Sequence, residues 1–125
     1  MRIAELTSRI LLGLIFLTFG CNGFLGFLVS APFEGLAGQF LQALSESHYD
    51  LVISGFKVVA GSLLIVNRFV GLGIAILAPI IVNILCFHVF MAPSGLALAL
   101  PAAGIWGFLA YRYRHCFAGL LVSRS

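Results

Sequence analysis

The chain has 125 residues, of which 62% are hydrophobic and 9% are charged, and its formal net charge is +3. A soluble domain carries about 25% charged residues, so this composition excludes a globular domain with a water-facing surface. No charged residue occurs between Phe69 and Tyr111, and a bilayer span needs about 20 apolar residues, so this run predicts two membrane helices. The sequence predicts an integral membrane protein of one domain, residues 1–125.

The first predicted span covers about residues 8–29. It is longer than the roughly 7–15 apolar residues of a signal peptide, and further spans follow, so we interpret it as a retained helix. The glycines within it predict close packing against a neighbouring helix, since small residues let membrane helices approach each other. These glycines are Gly13, Gly20, Gly23 and Gly26.

A short amphipathic helix is predicted next, over about residues 32–47. Its apolar positions share one helical face. They are Phe33, Leu36, Ala37, Phe40, Leu41 and Leu44. Such a helix lies in the membrane interface or covers the mouth of a bundle as a lid, and the pattern favours an interfacial helix that shields the bundle.

Three more spans follow, at about residues 50–67, 69–91 and 94–113. The predicted fold class is therefore an all-α membrane protein, a four-transmembrane-helix bundle with a short interfacial helix between helices 1 and 2. Every arginine lies before or at the start of the first span, between the second and third spans, or at or after the end of the fourth. By the positive-inside rule, both termini are expected to be cytoplasmic. These basic residues are explained by topology, so no nucleic-acid partner is implied.

Polar residues at similar depth on three helices are the strongest functional signal in the sequence. At 1.5 Å per residue, Asn22, Lys57 and Asn83 lie roughly 10–14 Å below the outer helix ends, and His88 lies about 6 Å below. The inner half of the membrane is predicted to have no equivalent cluster. Polar side chains inside a membrane are costly and usually face protein or a ligand, so these residues are candidate ligand-binding positions.

Each of these residues also has a structural interpretation. Lys57 either extends its ammonium towards the interface or contacts a ligand. Asn22 and Asn83 suit packing hydrogen bonds between helices. Asn83 and His88 differ by about 140° around their helix, so one face is not expected to present both. No second ligand stands near His88 at metal or haem spacing, and no metal site is predicted.

Cysteines give a weaker redox alternative. Cys21 and Cys86 both fall in the predicted outer half, where an oxidising compartment would permit a disulfide. Neither belongs to a CxxC motif, and free cysteine is commonly buried, so packing is favoured. We expect both thiols to stay reduced.

Several stretches resemble the DoxX family of small bacterial membrane proteins. The similar motifs are RxxLGLIF at 9–16, FGxNGF at 19–24, VVAGxLLxVNRFV at 58–70, LAPIIVNILxFH at 77–88 and APSGL at 92–96. The resemblance implies a four-helix bundle in the bacterial cytoplasmic membrane. Assigned members include the quinone-reducing membrane subunit of a thiosulfate oxidoreductase and membrane partners in oxidative-stress complexes.

Two functions from different classes remain open. The first is a quinone-linked redox subunit, in which the four polar residues and the aromatic Phe19, Phe56 and Phe87 hold a quinone or similar apolar ring. A membrane or soluble redox partner, or a second copy of the chain, is then expected. The second is a non-catalytic membrane partner or scaffold whose polar residues only fasten helices.

Overall fold

The computed structural model describes residues 2–26 and 35–121. Four of its helices are long and apolar enough to cross a membrane, which confirms the predicted all-α fold class. In chain order the helices are α1 (Arg2–Leu25), α2 (Gly35–Glu46), α3 (Tyr49–Val66), α4 (Val70–Phe90) and α5 (Leu96–Arg112). Short 3-10 segments, Pro93–Gly95 and Arg114–Leu121, precede and follow α5.

Helix α1 extends beyond the predicted first span at its amino end. It begins at Arg2 rather than near Ser8. Within it, Glu5 contacts Arg112 of α5 and Arg9 contacts the end of α3, so the helix accommodates these two charged residues. Regular helix ends at Leu25, and Gly26 follows with φ of 65°, a backbone conformation that glycine adopts readily. The predicted residues 27–29 lie outside the described part of the chain.

Helices α1 and α3 pack in close antiparallel contact through glycine. A Cβ atom added to Gly61 would lie 2.7 Å from the carbonyl oxygen of Gly13 and 2.8 Å from the backbone nitrogen of Leu17. Only glycine lets two helix backbones come this close. A Cβ atom added to Gly20 would likewise lie 2.9 Å from the carbonyl oxygen of Ser54.

The predicted glycine contacts hold for all but one position. Gly23 lies so close to Ser54 that a Cβ would overlap its side chain, whereas no heavy atom of the described residues lies within 4 Å of a Cβ at Gly26. The prediction for Gly26 was therefore wrong. This glycine ends α1 instead of packing against a neighbour.

The other helix pairs complete a closed ring. A Cβ on Gly73 of α4 would lie 3.2 Å from the carbonyl oxygen of Ala60 on α3. Trp106 of α5 donates its indole N–H to the carbonyl oxygen of Ile74 on α4 at 3.0 Å. The ring of neighbours runs α1–α3–α4–α5 and back to α1, with an up-and-down topology typical of four-helix bundles.

This topology gives the bundle two distinct ends. At the end we call the termini end, α1 and α4 begin and α3 and α5 finish. At the opposite end, the loop end, α1 and α4 finish, α3 and α5 begin, and α2 is attached. Between them lies a core whose largest fully buried side chains are Leu12, Leu64, Ile74, Leu77 and Leu109.

Helix α2 confirms that the segment between the first two spans contains an amphipathic helix, but its inward face is narrower than predicted. Ala37 is 2% exposed, whereas Leu36 from the same predicted stripe is 70% exposed. Phe33 lies outside the described residues. Phe40, Leu41 and Leu44 border a cavity between α2 and the bundle.

Candidate functional site

The larger cavity at the loop end lies between α2, α3 and α4, and we call it cavity A. Its volume is about 540 Å³. Its lining is mostly aliphatic and aromatic: Phe40, Leu41, Leu44, Tyr49, Ile53, Lys57, Pro79, Ile80, Asn83, Ile84, Phe87 and His88. This is an apolar chamber with a few polar groups, the usual character of a small-molecule site.

A second cavity, cavity B, lies on the other side of the same residues, between α1, α4 and α5. Its volume is about 280 Å³. Its lining is Ile15, Phe16, Phe19, Lys57, Ile84, His88, Gly95, Leu98, Ala99 and Ala102. Lys57, Ile84 and His88 border both cavities, so they form the junction between two apolar spaces.

Lys57 is the cation of this junction. It is the single lysine of the chain, and its side chain is half-buried on α3. Within residues 2–26 and 35–121, its ammonium makes no hydrogen bond or ion pair. A cation inside a membrane bundle is costly unless it finds a partner, so the site is suited to a ligand that accepts hydrogen bonds.

His88 is held in place by the turn that follows α4. Its Nδ1 lies 3.1 Å from the carbonyl oxygen of Ala92. A Cβ on Gly95 would overlap the imidazole ring, so glycine at this position makes room for the ring. The sequence placed Ala92 and Pro93 between two predicted spans but gave no sign that this turn positions His88.

Asn83 also lines cavity A, but its amide is hydrogen-bonded within its own helix. Its Nδ2 donates to the carbonyl oxygen of Pro79 at 2.9 Å. The sequence suggested a hydrogen bond from Asn83 to another helix, whereas this Nδ2 bonds within α4. Asn83 and His88 both border cavity A although they differ by about 140° around α4, because the cavity is broad enough to reach both.

The predicted aromatic residues divide between the two cavities and the surface. Phe87 lines cavity A, where its ring centre lies 5.7 Å from that of Phe40, and Phe19 lines cavity B. Phe56 is 52% exposed and lines neither cavity. Asn22 is half-buried near the end of α1 and also lines neither. The structure therefore brings five of the seven predicted side chains to the two cavities: Phe19, Lys57, Asn83, Phe87 and His88.

The cysteines lie apart from this arrangement. Cys21 is half-buried, Cys86 and Cys116 are exposed, and all three are free. Neither Cys21 nor Cys86 lines cavity A or cavity B. In the part of the chain that the structure describes, no group of three or more His, Cys, Asp and Glu side chains could hold a metal ion.

The termini end contains a network of polar contacts that the sequence analysis did not predict. Arg9 is buried and donates to the carbonyl oxygens of Leu64 and, at 3.3 Å, Ile65 at the end of α3. The last carbonyls of a helix lack partners within it, so this guanidinium caps α3 and offsets the negative end of its dipole. The sequence analysis did not identify this contact between Arg9 and α3.

A second part of this network joins the first and last long helices. Arg112 lies 3.0 Å from the Glu5 carboxylate, and Tyr113 hydrogen-bonds the same carboxylate. Burial, and then the bond to Glu5, raise the pKa of the Tyr113 hydroxyl above its usual value. The i, i+4 spacing of Glu5 and Arg9 placed both on one side of α1, a signal that could have indicated this network.

A scan against protein-family models, a search of curated proteins and a search of solved structures found no match to this chain.

Proposed function

We propose that this protein is a quinone-linked redox membrane subunit that binds a quinone, or a similar apolar ring, at the loop end of its bundle. The observation that carries the proposal is the junction of the two cavities, where Lys57 and His88 are the polar groups in otherwise apolar walls. A membrane carrier with an apolar body and polar ring oxygens is complementary to such a site. The resemblance to the DoxX family supports the same class of ligand.

The residues present fit this group. Lys57 is a donor without a partner among the described residues, and the ring oxygens of a quinone accept hydrogen bonds. Phe87 and Phe40 supply aromatic wall in cavity A, and Phe19 supplies it in cavity B. A bound quinone would supply two-electron, two-proton redox chemistry, while the protein supplies binding and orientation.

The position of helix α2 over cavity A also supports the proposal. Phe40, Leu41 and Leu44 form the α2 side of cavity A. Apolar side chains in this position exclude water from the polar junction, where a low dielectric strengthens hydrogen bonds. We propose that α2 shields the ligand, in keeping with the interpretation favoured from its sequence.

Two hydrogen bonds support the alternative function, a scaffold without a ligand. Asn83 donates to its own helix, and His88 contacts the turn after α4. Both bonds stabilise local structure without any ligand. Lys57 has no such bond among the described residues, so it is the residue that distinguishes the two functions.

The proposal is tested by isolating the protein in mild detergent and identifying co-purified lipids by mass spectrometry. We expect about one quinone per chain in the wild-type protein and a clear loss of occupancy in Lys57→Met. Arg68→Gln is the matched control, because it removes the same charge from an exposed position at the termini end. Equal, near-zero occupancy in all three proteins would support the scaffold instead.

We further propose a bacterial cytoplasmic membrane location with the termini end inside. The arginines support this orientation: Arg9, Arg68, Arg112 and Arg114 all belong to the termini end or the segments beside it. The test is impermeant thiol labelling of intact cells after the native cysteines are replaced by alanine. Ser47→Cys should react and Ala118→Cys should not; the reverse pattern would overturn the orientation.

A further inference from the structure

We propose that the junction selects a ring that carries a hydroxyl group over a ring that carries only oxygen acceptors. The inference rests on the proposed function and narrows its ligand class to rings that carry a hydroxyl group, which for a quinone pair is the reduced quinol. It follows from the hydrogen-bonding state that the fold imposes on His88 and from the position of Lys57 beside the same two cavities.

The turn after α4 fixes which nitrogen of His88 carries the proton. The partner of Nδ1 is the carbonyl oxygen of Ala92, 3.1 Å away, and a carbonyl oxygen only accepts hydrogen bonds. Nδ1 is therefore the donor. A neutral imidazole has one donor and one acceptor nitrogen, so with Nδ1 as the donor of the neutral ring, Nε2 carries a lone pair.

The lone pair of Nε2 is open to a ligand. No described residue donates to this nitrogen. Among the described side chains that are not exposed, no fully buried nitrogen or oxygen lacks a hydrogen-bond partner, so Nε2 is not fully buried. His88 borders both cavity A and cavity B, so a ligand in either cavity lies beside this residue.

Lys57 supplies the opposite property at the same place. An ammonium carries three donors and no acceptor. A hydroxyl group donates one hydrogen bond and accepts others, so it offers both the donor that Nε2 of His88 lacks and the acceptor that the ammonium of Lys57 lacks. A carbonyl or ether oxygen accepts from Lys57 but leaves the lone pair of Nε2 without a donor, at a cost typical of an unmade hydrogen bond.

The test uses two probes that differ at a single oxygen, 1-naphthol and 1-methoxynaphthalene. The naphthyl ring is the same in both, and neither compound is a quinone. In the ether a methyl group replaces the hydroxyl hydrogen, which removes the O–H donor. Binding is measured by equilibrium dialysis against the full chain in lipid nanodiscs. Empty nanodiscs give the partitioning of each probe into lipid, which is subtracted.

We expect wild-type protein to bind 1-naphthol about 10-fold more tightly than the ether, the effect of one hydrogen bond to a partly buried group. His88→Asn retains a donor for the carbonyl oxygen of Ala92 and removes the atom at the Nε2 position, so it should abolish the difference. His88→Gln places an amide near that position and should restore part of it. Cys86→Ala, an exposed change on the same helix that lines neither cavity, should leave the 10-fold ratio unchanged.

The outcomes separate this inference from the proposed function. Equal affinity for both probes in the wild-type protein would overturn the hydroxyl preference and leave a ring site in place. A preference that persists in both His88 variants would also overturn it, since the selecting group would then lie elsewhere. If neither probe binds, the ring site itself is absent and both proposals fall.

Discussion

Each end of the bundle has a basic side chain inside it, and the two differ in their hydrogen-bond partners. At the termini end, Arg9 is buried and its guanidinium caps the last carbonyls of α3. At the loop end, Lys57 is half-buried, faces two cavities and has no bonding partner among the described residues. Both are basic residues in predominantly apolar helices, so residue type alone does not distinguish them.

The difference teaches that the partner, rather than the depth, decides what a membrane-embedded charge does. A charge whose donors are satisfied by the fold stabilises the bundle, while one without a partner reduces stability and is available to a ligand. The termini end is therefore the structural end, and the loop end is where we expect chemistry. The following changes break or sharpen that contrast, from the largest expected effect to the smallest.

Arg9→Met should have the largest effect on stability. It leaves the carbonyl oxygens of Leu64 and Ile65 without their charged donor, at a cost of about 2–3 kcal/mol in the free energy of unfolding. The measurement is denaturant titration in micelles, followed by far-UV circular dichroism. Arg9→Lys should recover part of the loss, and an Arg9→Met protein as stable as the wild type would remove the assigned capping role.

Gly61→Ala should separate α1 from α3 and cost about 1–3 kcal/mol, because its Cβ would meet the backbone of Gly13 and Leu17. Gly104→Ala on α5 is the matched control, since no heavy atom in residues 2–26 and 35–121 lies within 4 Å of its added Cβ. The same titration should show the control unchanged or slightly more stable. Equal effects of the two substitutions would mean that the close α1–α3 contact contributes little.

The Glu5–Arg112 pair should contribute less than about 1 kcal/mol, because both side chains are about 30% exposed and solvent screens them. A double-mutant cycle with Glu5→Gln and Arg112→Gln measures this coupling. The coupling should shrink at high salt. A coupling of several kcal/mol, insensitive to salt, would show that the pair is far better shielded than its exposure indicates.

Lys57→Met should leave the free energy of unfolding unchanged or raise it, since it removes a charge that has no partner and keeps the bulk of the stem. The same change should lower ligand occupancy, so stability and binding should respond in opposite directions. A marked loss of stability in Lys57→Met would place Lys57 with Arg9 as a structural cation.

Composition and hydrophobic pattern determined the general architecture of this protein. A chain with this little charge has to bury its helices in lipid, so the charge-free runs predicted four long helices before any contact was known. The glycines of α1 also predicted a close helix contact, because side-chain size limits how near two backbones come. The apolar stripe of α2 predicted a helix between the first two spans for the same local reason.

Only the tertiary structure decided which polar residues meet. Helical spacing located Lys57, Asn83 and His88 on their own helices, but it carried no information about the width of the space between α3 and α4. It also did not show that the 92–95 turn holds His88, or that Arg9 reaches across to α3. Helical periodicity is a local property of one segment, whereas a hydrogen bond between distant residues depends on how the segments are packed together. That packing gives Arg9 hydrogen-bond acceptors at the end of α3 and gives Lys57 none among the described residues.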